Sequence, residues 1–108
     1  MFLQQTVSVT MDRPLGSRHP DWDFVYPVNY GYVPGTVSGD GEPLDVYVLG
    51  VDTPLATFTG VCIAVIRRLG DDDDKLVVVP PGLSLTDMEI RAQTNFQEQY
   101  FRSVIVRR

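Results

Sequence analysis

Cysteine, histidine and lysine each occur once in the chain, as Cys62, His19 and Lys75. One cysteine cannot form an internal disulfide, and Cys62, inside the apolar run Val61 to Ile66, reads as a small buried hydrophobe. One cysteine with one histidine also excludes the usual four-ligand structural zinc site. No apolar run approaches the ~20 residues that a membrane-spanning helix needs, so no membrane association is expected. The opening Met-Phe-Leu-Gln-Gln has no basic segment ahead of an apolar core. The expectation is therefore no secretory signal and a cytoplasmic location. Cations are scarce as well: 9 Lys+Arg against 14 Asp+Glu leave a net charge of −5. That balance argues against binding nucleic acid through its phosphates, which takes a basic footprint.

What is present is an ordinary globular composition. The chain has 108 residues, of which 44% are hydrophobic and 21% charged. Its length is room for one domain, spanning 1–108, that can bury roughly 60–70% of the surface its unfolded form exposes. Association with further copies would help a core of that size.

Short strands dominate the pattern. Gln5 to Met11 alternates, with Val7, Val9 and Met11 on one face of a half-buried strand. Asp12 to Asp23, with Pro14, Gly16 and Pro20, reads as an irregular loop. Tyr26 to Val33 predicts a strand that runs into a turn at Pro34-Gly35, and Thr36 to Ser38 offers a brief further pairing. Leu44 to Leu49, Gly60 to Leu69 and Lys75 to Val79 are further strands, the last stopped by Pro80-Pro81. One helix is expected near the C-terminus. Ser84 or Thr86 would cap it, Asp87 and Glu89 would lie in its first turn, and Ile90, Phe96 and Tyr100 would recur along it. Val104 to Val106 reads as a final strand or a tail. Together these predict a mainly β (α+β) fold, a small closed five-stranded OB-like barrel with a C-terminal flanking helix.

Two acidic segments carry the candidate chemistry. Asp40, Glu42 and Asp45 fall in one turn and the start of the next strand, and Asp71 to Asp74 form a second loop. Facing loops of this kind repel each other unless cations lie between them, and hard divalent cations take oxygen ligands. Two solvated surface turns are the alternative reading. Tyr26, Tyr30 and Tyr32 precede the first acidic turn, Arg18 lies in the loop before them, and Lys75 follows the second acidic loop. These phenols and cations suit phosphoryl oxygens. Tyrosines at alternate strand positions also serve simply as packing, and a lysine beside four aspartates as charge neutralisation. His19, next to Arg18, reads as a loop residue without a role, or as a further phosphate contact.

The stretch from Tyr26 to Asp45, Tyr-Pro-Val-Asn-Tyr-Gly-Tyr-Val-Pro-Gly-Thr-Val-Ser-Gly-Asp-Gly-Glu-Pro-Leu-Asp, closely resembles the signature region of the family I soluble inorganic pyrophosphatases. The family's aspartate signature has the form D-x-D-[PE]-φ-D, and Glu42 here stands at its middle position. Asp71 to Lys75 with the following Leu-Val-Val-Val-Pro80 is similar to the family's acidic loop and Lys-Leu-Val strand. Phe96 to Tyr100 is similar to its C-terminal helix. The resemblance covers about Arg18 to Tyr100. It implies Asp40, Glu42, Asp45, Asp71 and one of Asp73 or Asp74 as ligands of Mg²⁺, or of Mn²⁺ or another divalent cation. It places the catalytic base at Glu42, a shared metal ligand at Asp45, and phosphate contacts at Arg18, Tyr30, Lys75 and Tyr100. Catalysis would then rest on Glu42, Asp45 and Tyr30. The implied activity is Mg²⁺-dependent hydrolysis of pyrophosphate by a metal-activated water, in a homo-oligomer.

The chain also departs from the family pattern. Between Met11 and Arg18 it lacks the hairpin that carries a further Glu and a Lys; Arg13 is the nearest substitute. Phe101 stands where the family has a lysine after the helix tyrosine. Two other readings therefore stand beside the first: a weakened phosphate- or polyphosphate-binding module of the same fold, and a hydrolase of a related small phosphoanhydride. A barrel that binds single-stranded nucleic acid fits the aromatics but not the charge.

Overall fold

The computed structural model describes residues 2–39, 41–70 and 73–108. Asp40, Asp71 and Asp72 lie outside the described residues. The elements in chain order are β1 (Thr6–Arg13), β2 (Asn29–Val33), β3 (Leu44–Val48), β4 (Thr57–Arg68), β5 (Lys75–Val79), α1 (Asp87–Glu98) and β6 (Ser103–Val106).

The strands follow the order β1-β2-β3-β5-β4-β6, and a further β1–β4 pairing closes the first five into a barrel. β4 makes this possible by its length. Thr57 to Val61 pairs with β1, Val65 to Arg68 pairs with β6, and β5 runs along its other edge. Bulges at Met11/Arg13 and Cys62/Ala64 bend β1 and β4 around the closure. The expected barrel is therefore formed, and Ser103–Val106 adds a sixth short strand on its outside rather than a tail.

Alternation along the strands builds two apolar layers. Val7, Val9, Val46, Val48, Cys62, Leu76 and Val78 fill the barrel interior. Tyr47, Leu49, Val77 and Val79 face the other way and pack with Ile90 under α1. β5 has apolar layers on both faces, which is why it reads as an unbroken apolar run. Gly31 lies where β2 passes close to β1: a Cβ there would run into the carbonyl oxygen of Thr10. Gly35 takes φ +81° in the turn that ends β2.

α1 begins at a capping box. Thr86 Oγ accepts from the Glu89 N–H, and the Glu89 carboxylate accepts from the Thr86 N–H. Ile90, Thr94 and Glu98 form its buried stripe. The helix ends at Glu98 with Gln99 as its C-cap, so Tyr100 stands just beyond it rather than on it, a correction to the periodicity reading. Other boundaries also shift. β1 continues through its bulge to Arg13, β2 begins only at Asn29, and β4 begins at Thr57 because its first residues pair with β1. Thr36 to Ser38 joins no strand.

Candidate functional site

β3 and β5 are parallel neighbours, and Asp45 stands opposite Lys75 in the register. Parallel neighbours begin at the same end of a sheet. The start of β3, with Asp45, and the residues just ahead of β5, with Asp73, therefore share that end. They meet at Lys75. Its ammonium, 3% exposed, donates to Asp45 Oδ2 at 2.5 Å and to Asp73 Oδ1 at 2.8 Å. Burial raises the Asp45 pKa, and the ion pair with Lys75 only partly offsets that shift. Burial and the Asp45 charge hold Tyr30 well above the ordinary phenol range, so it stays protonated.

Behind Asp73 lies an ion-pair network. Arg68 donates through Nη1 to Asp73 Oδ2 at 2.9 Å, so the two Asp73 oxygens are divided between Lys75 and Arg68. Arg68 also forks onto Glu98, with Nε to Oε1 at 3.1 Å and Nη2 to Oε2 at 2.7 Å. Burial works against the Arg68 charge, but Glu98 and Asp73 together push its pKa higher still. Glu98 accepts from the Tyr47 hydroxyl at 2.6 Å, Tyr47 accepts from Gln97 at 2.8 Å, and Gln97 accepts from Tyr26 at 3.1 Å. The Arg68 guanidinium lies 3.6 Å above the Phe101 ring.

Apart from Tyr47 and Glu98, these groups wall one cavity of about 580 Å³. Asp12, Asp45 and Asp73 supply its acids, and Arg13, Arg68 and Lys75 its cations. Tyr26, Tyr30, Trp22, Tyr100 and Phe101 supply much of its aromatic wall. Trp22 and Tyr100 pack at 5.8 Å between ring centres.

The structure thus brings together Tyr30, Asp45, Asp73, Lys75 and Tyr100 of the expected site. Arg18 stands apart, exposed and paired with Asp23 at 2.8 Å. Asp74 lies beside Arg67 at 3.9 Å, and Glu42 is exposed in the loop ahead of β3; neither lines the cavity. Tyr32 does not line it either. Asp40 and Asp71 belong to the two acidic segments but fall outside the described residues. Sequence reasoning missed Arg68 and Glu98. The available signal was Glu98 itself, an acid on the apolar stripe set by Ile90 and Thr94, where a buried carboxylate needs a partner.

The donor set suits a hard divalent cation. Three carboxylates, those of Asp12, Asp45 and Asp73, line one cavity, and Asp45 is destabilised by burial even with an ammonium beside it. Among the described residues, no three His, Cys, Asp or Glu side chains converge as a complete metal cluster.

A sequence model of the family described as inorganic pyrophosphatase matches residues 4–104. The chain is 39% identical over 87 residues to an inorganic pyrophosphatase of Ralstonia nicotianae, covering 68% of this chain and 47% of the relative. It is 32% identical over 107 residues to one of Mesorhizobium japonicum, covering 87% and 58%. The chain therefore spans about half the length of the curated relatives it matches. Among solved structures, an inorganic pyrophosphatase from Helicobacter pylori superposes with a TM-score of 0.72 at 19% identity, covering 95% of this chain and 85% of that one. One from Ehrlichia chaffeensis gives 0.71 at 21%, covering 91% and 82%. At those identities the superpositions bear on the fold. With a match over nearly its whole length and a cavity where the two acidic segments meet, this chain belongs to the inorganic pyrophosphatase family.

Proposed function

We propose that this chain hydrolyses inorganic pyrophosphate to two phosphates with Mg²⁺ or a similar divalent cation. The observation that carries the reading is the meeting of Asp45, on β3, and Asp73, just ahead of β5, at one buried ammonium on a cavity wall. Pyrophosphate is a small polyanion, and its hydrolysis needs charge neutralised on both phosphoryl groups and a water aimed in line at one of them.

Asp45 and Asp73 are the ligands this reading places on the cavity wall. Glu42, Asp40, Asp71 and Asp74 join them on the strength of the resemblance. Cations held there would supply a water acidic enough to attack near neutral pH and would draw charge from the departing phosphate. The chain's own groups do the rest. Lys75 holds both carboxylates in place and retains one N–H for a phosphoryl oxygen. Arg13, which lines the cavity and forms no ion pair among the described residues, offers a guanidinium to the anion. Tyr30, kept protonated, and Tyr100, at the mouth, add hydroxyl donors. Arg18 enters only by resemblance. We place the reaction in the cytoplasm and the chain in a homo-oligomer; among the described residues no helix is long and apolar enough to cross a membrane.

A second reading has its own support. Two of the three cavity cations, Arg68 and Lys75, are already tied to carboxylates, and Phe101 stands where the family has a lysine. A module so composed would bind the diphosphate without turning it over. Phosphate release from pyrophosphate with Mg²⁺, abolished by chelator, is expected. Absence of turnover with Mg²⁺, Mn²⁺ and Co²⁺ would end the enzymatic reading, and calorimetric binding without turnover would establish the second.

A further inference from the structure

We propose that His19 is a substrate-binding residue whose Nε2–H donates to a phosphoryl oxygen of the anion in the cavity, an inference that rests on the diphosphate reading of the site. The segment carrying Arg18 and His19 forms an isolated bridge, Arg18 to Val25, and neighbouring extended residues point to opposite sides. Arg18 turns to solvent and pairs with Asp23, while the His19 ring lines the cavity.

The imidazole is held in both position and tautomer. Nδ1 accepts two backbone N–H bonds, from Asp21 at 3.0 Å and from Trp22 at 3.1 Å. The ring lies within 10° of parallel to Tyr26, with centres 6.0 Å apart, and Phe24 tilts against it at 5.0 Å. A ring nitrogen that receives two donors carries no proton, so the neutral ring carries its proton on Nε2. Among the described residues, Nε2 forms no hydrogen bond to the protein. The result is a donor of fixed orientation on the wall of an anion cavity, with no reorganisation needed when an anion arrives. Its value follows from the state of its neighbours. Lys75 gives two of its three N–H groups to Asp45 and Asp73, and Arg68 gives three of its five to Glu98 and Asp73. His19 is a neutral donor that no carboxylate has claimed.

Because His19 is the one histidine in the chain, its ring can be read without assignment ambiguity. A long-range ¹H–¹⁵N spectrum of the full chain should show a proton-free Nδ1 and a protonated Nε2 at neutral pH. Methylenebisphosphonate with Mg²⁺ should then shift Nε2 and its proton. His19→Asn keeps an acceptor for the two loop N–H groups but removes the Nε2 donor, and should loosen methylenebisphosphonate about tenfold, the worth of one hydrogen bond. His19→Gln, which returns an N–H near the Nε2 position, should recover part of that loss. A purely structural role predicts the reverse order, with Asn the better substitute. Unchanged affinity in His19→Asn, or an Nε2 resonance that saturating ligand does not move, overturns the proposal and leaves the diphosphate reading intact. Failure of the unaltered chain to bind methylenebisphosphonate sinks that reading, and this proposal with it.

Discussion

Lys75 holds Asp45 and Asp73 by one ammonium, at 2.5 and 2.8 Å, although the two acids stand 28 positions apart in sequence. Parallel pairing of β3 with β5 is what makes this possible. The ammonium occupies the position between two carboxylates that a divalent cation would also favour. Lys75→Gln should therefore leave two facing acids without a partner. A buried pair broken on one side costs about 3–5 kcal/mol, and partial exposure of both acids lowers the expectation here to about 2–3. That is a fall in Tm on the order of 10 °C for a chain of this size. Mg²⁺ should restore part of it, as thermal unfolding with and without the ion would show. Unchanged stability would mean that the two acids do not depend on Lys75.

Asp45→Asn keeps the shape of the side chain and removes its charge. Phosphate release should fall by at least ~10², since a ligand is lost from a preorganised site. The circular dichroism spectrum should be unchanged. Near-full activity in this variant would remove Asp45 from the metal shell.

Arg68 and Glu98 stabilise the wall behind Asp73 as a unit. Arg68→Met should destabilise the chain by about 3 kcal/mol in urea titrations, because Glu98, 5% exposed, keeps its charge and loses both guanidinium bonds. The double variant Arg68→Met, Glu98→Met should recover most of that loss, the sign of direct coupling. Simple addition of the two single effects would contradict it.

Tyr26, Tyr30 and Tyr47 all have pKa values raised by burial above the ordinary 10.0. The unfolded chain releases these protons near pH 10, and the folded chain holds them to higher pH. Their contribution is thus fully present below pH 10 and lost as pH rises through the raised values. Each should add about 1.4 kcal/mol per pH unit to the alkaline slope. In Tyr47→Phe that slope should drop by one such increment. An equal slope would show that Tyr47 titrates in the folded protein.

The strands and the site were legible to different degrees. Val7, Val9 and Met11 announced β1 by alternation, and the unbroken run of β5 followed from apolar layers on both its faces. The capping box at Thr86 lay within reach of local rules, because both of its partners are three residues apart. The direction of a loop side chain was not legible. Spacing alone cannot decide whether Arg18 or His19 faces the cavity, and the bridge to Val25 decides it. Nor was the Arg68–Glu98 pair, whose members lie 30 residues apart on a strand and a helix. The spacing of Tyr100 continues the helical stripe, yet the helix ends at Glu98, and Gln99, still αR, is only its C-cap.

The location of the bound cations tests the account most directly. Crystals of the full chain grown with Mn²⁺ and phosphate would be measured for anomalous scattering. The account predicts metal peaks in coordination range of the Asp45 and Asp73 carboxylates, with phosphate in the same cavity. Metal bound elsewhere, with these two carboxylates still closed on Lys75, would contradict it.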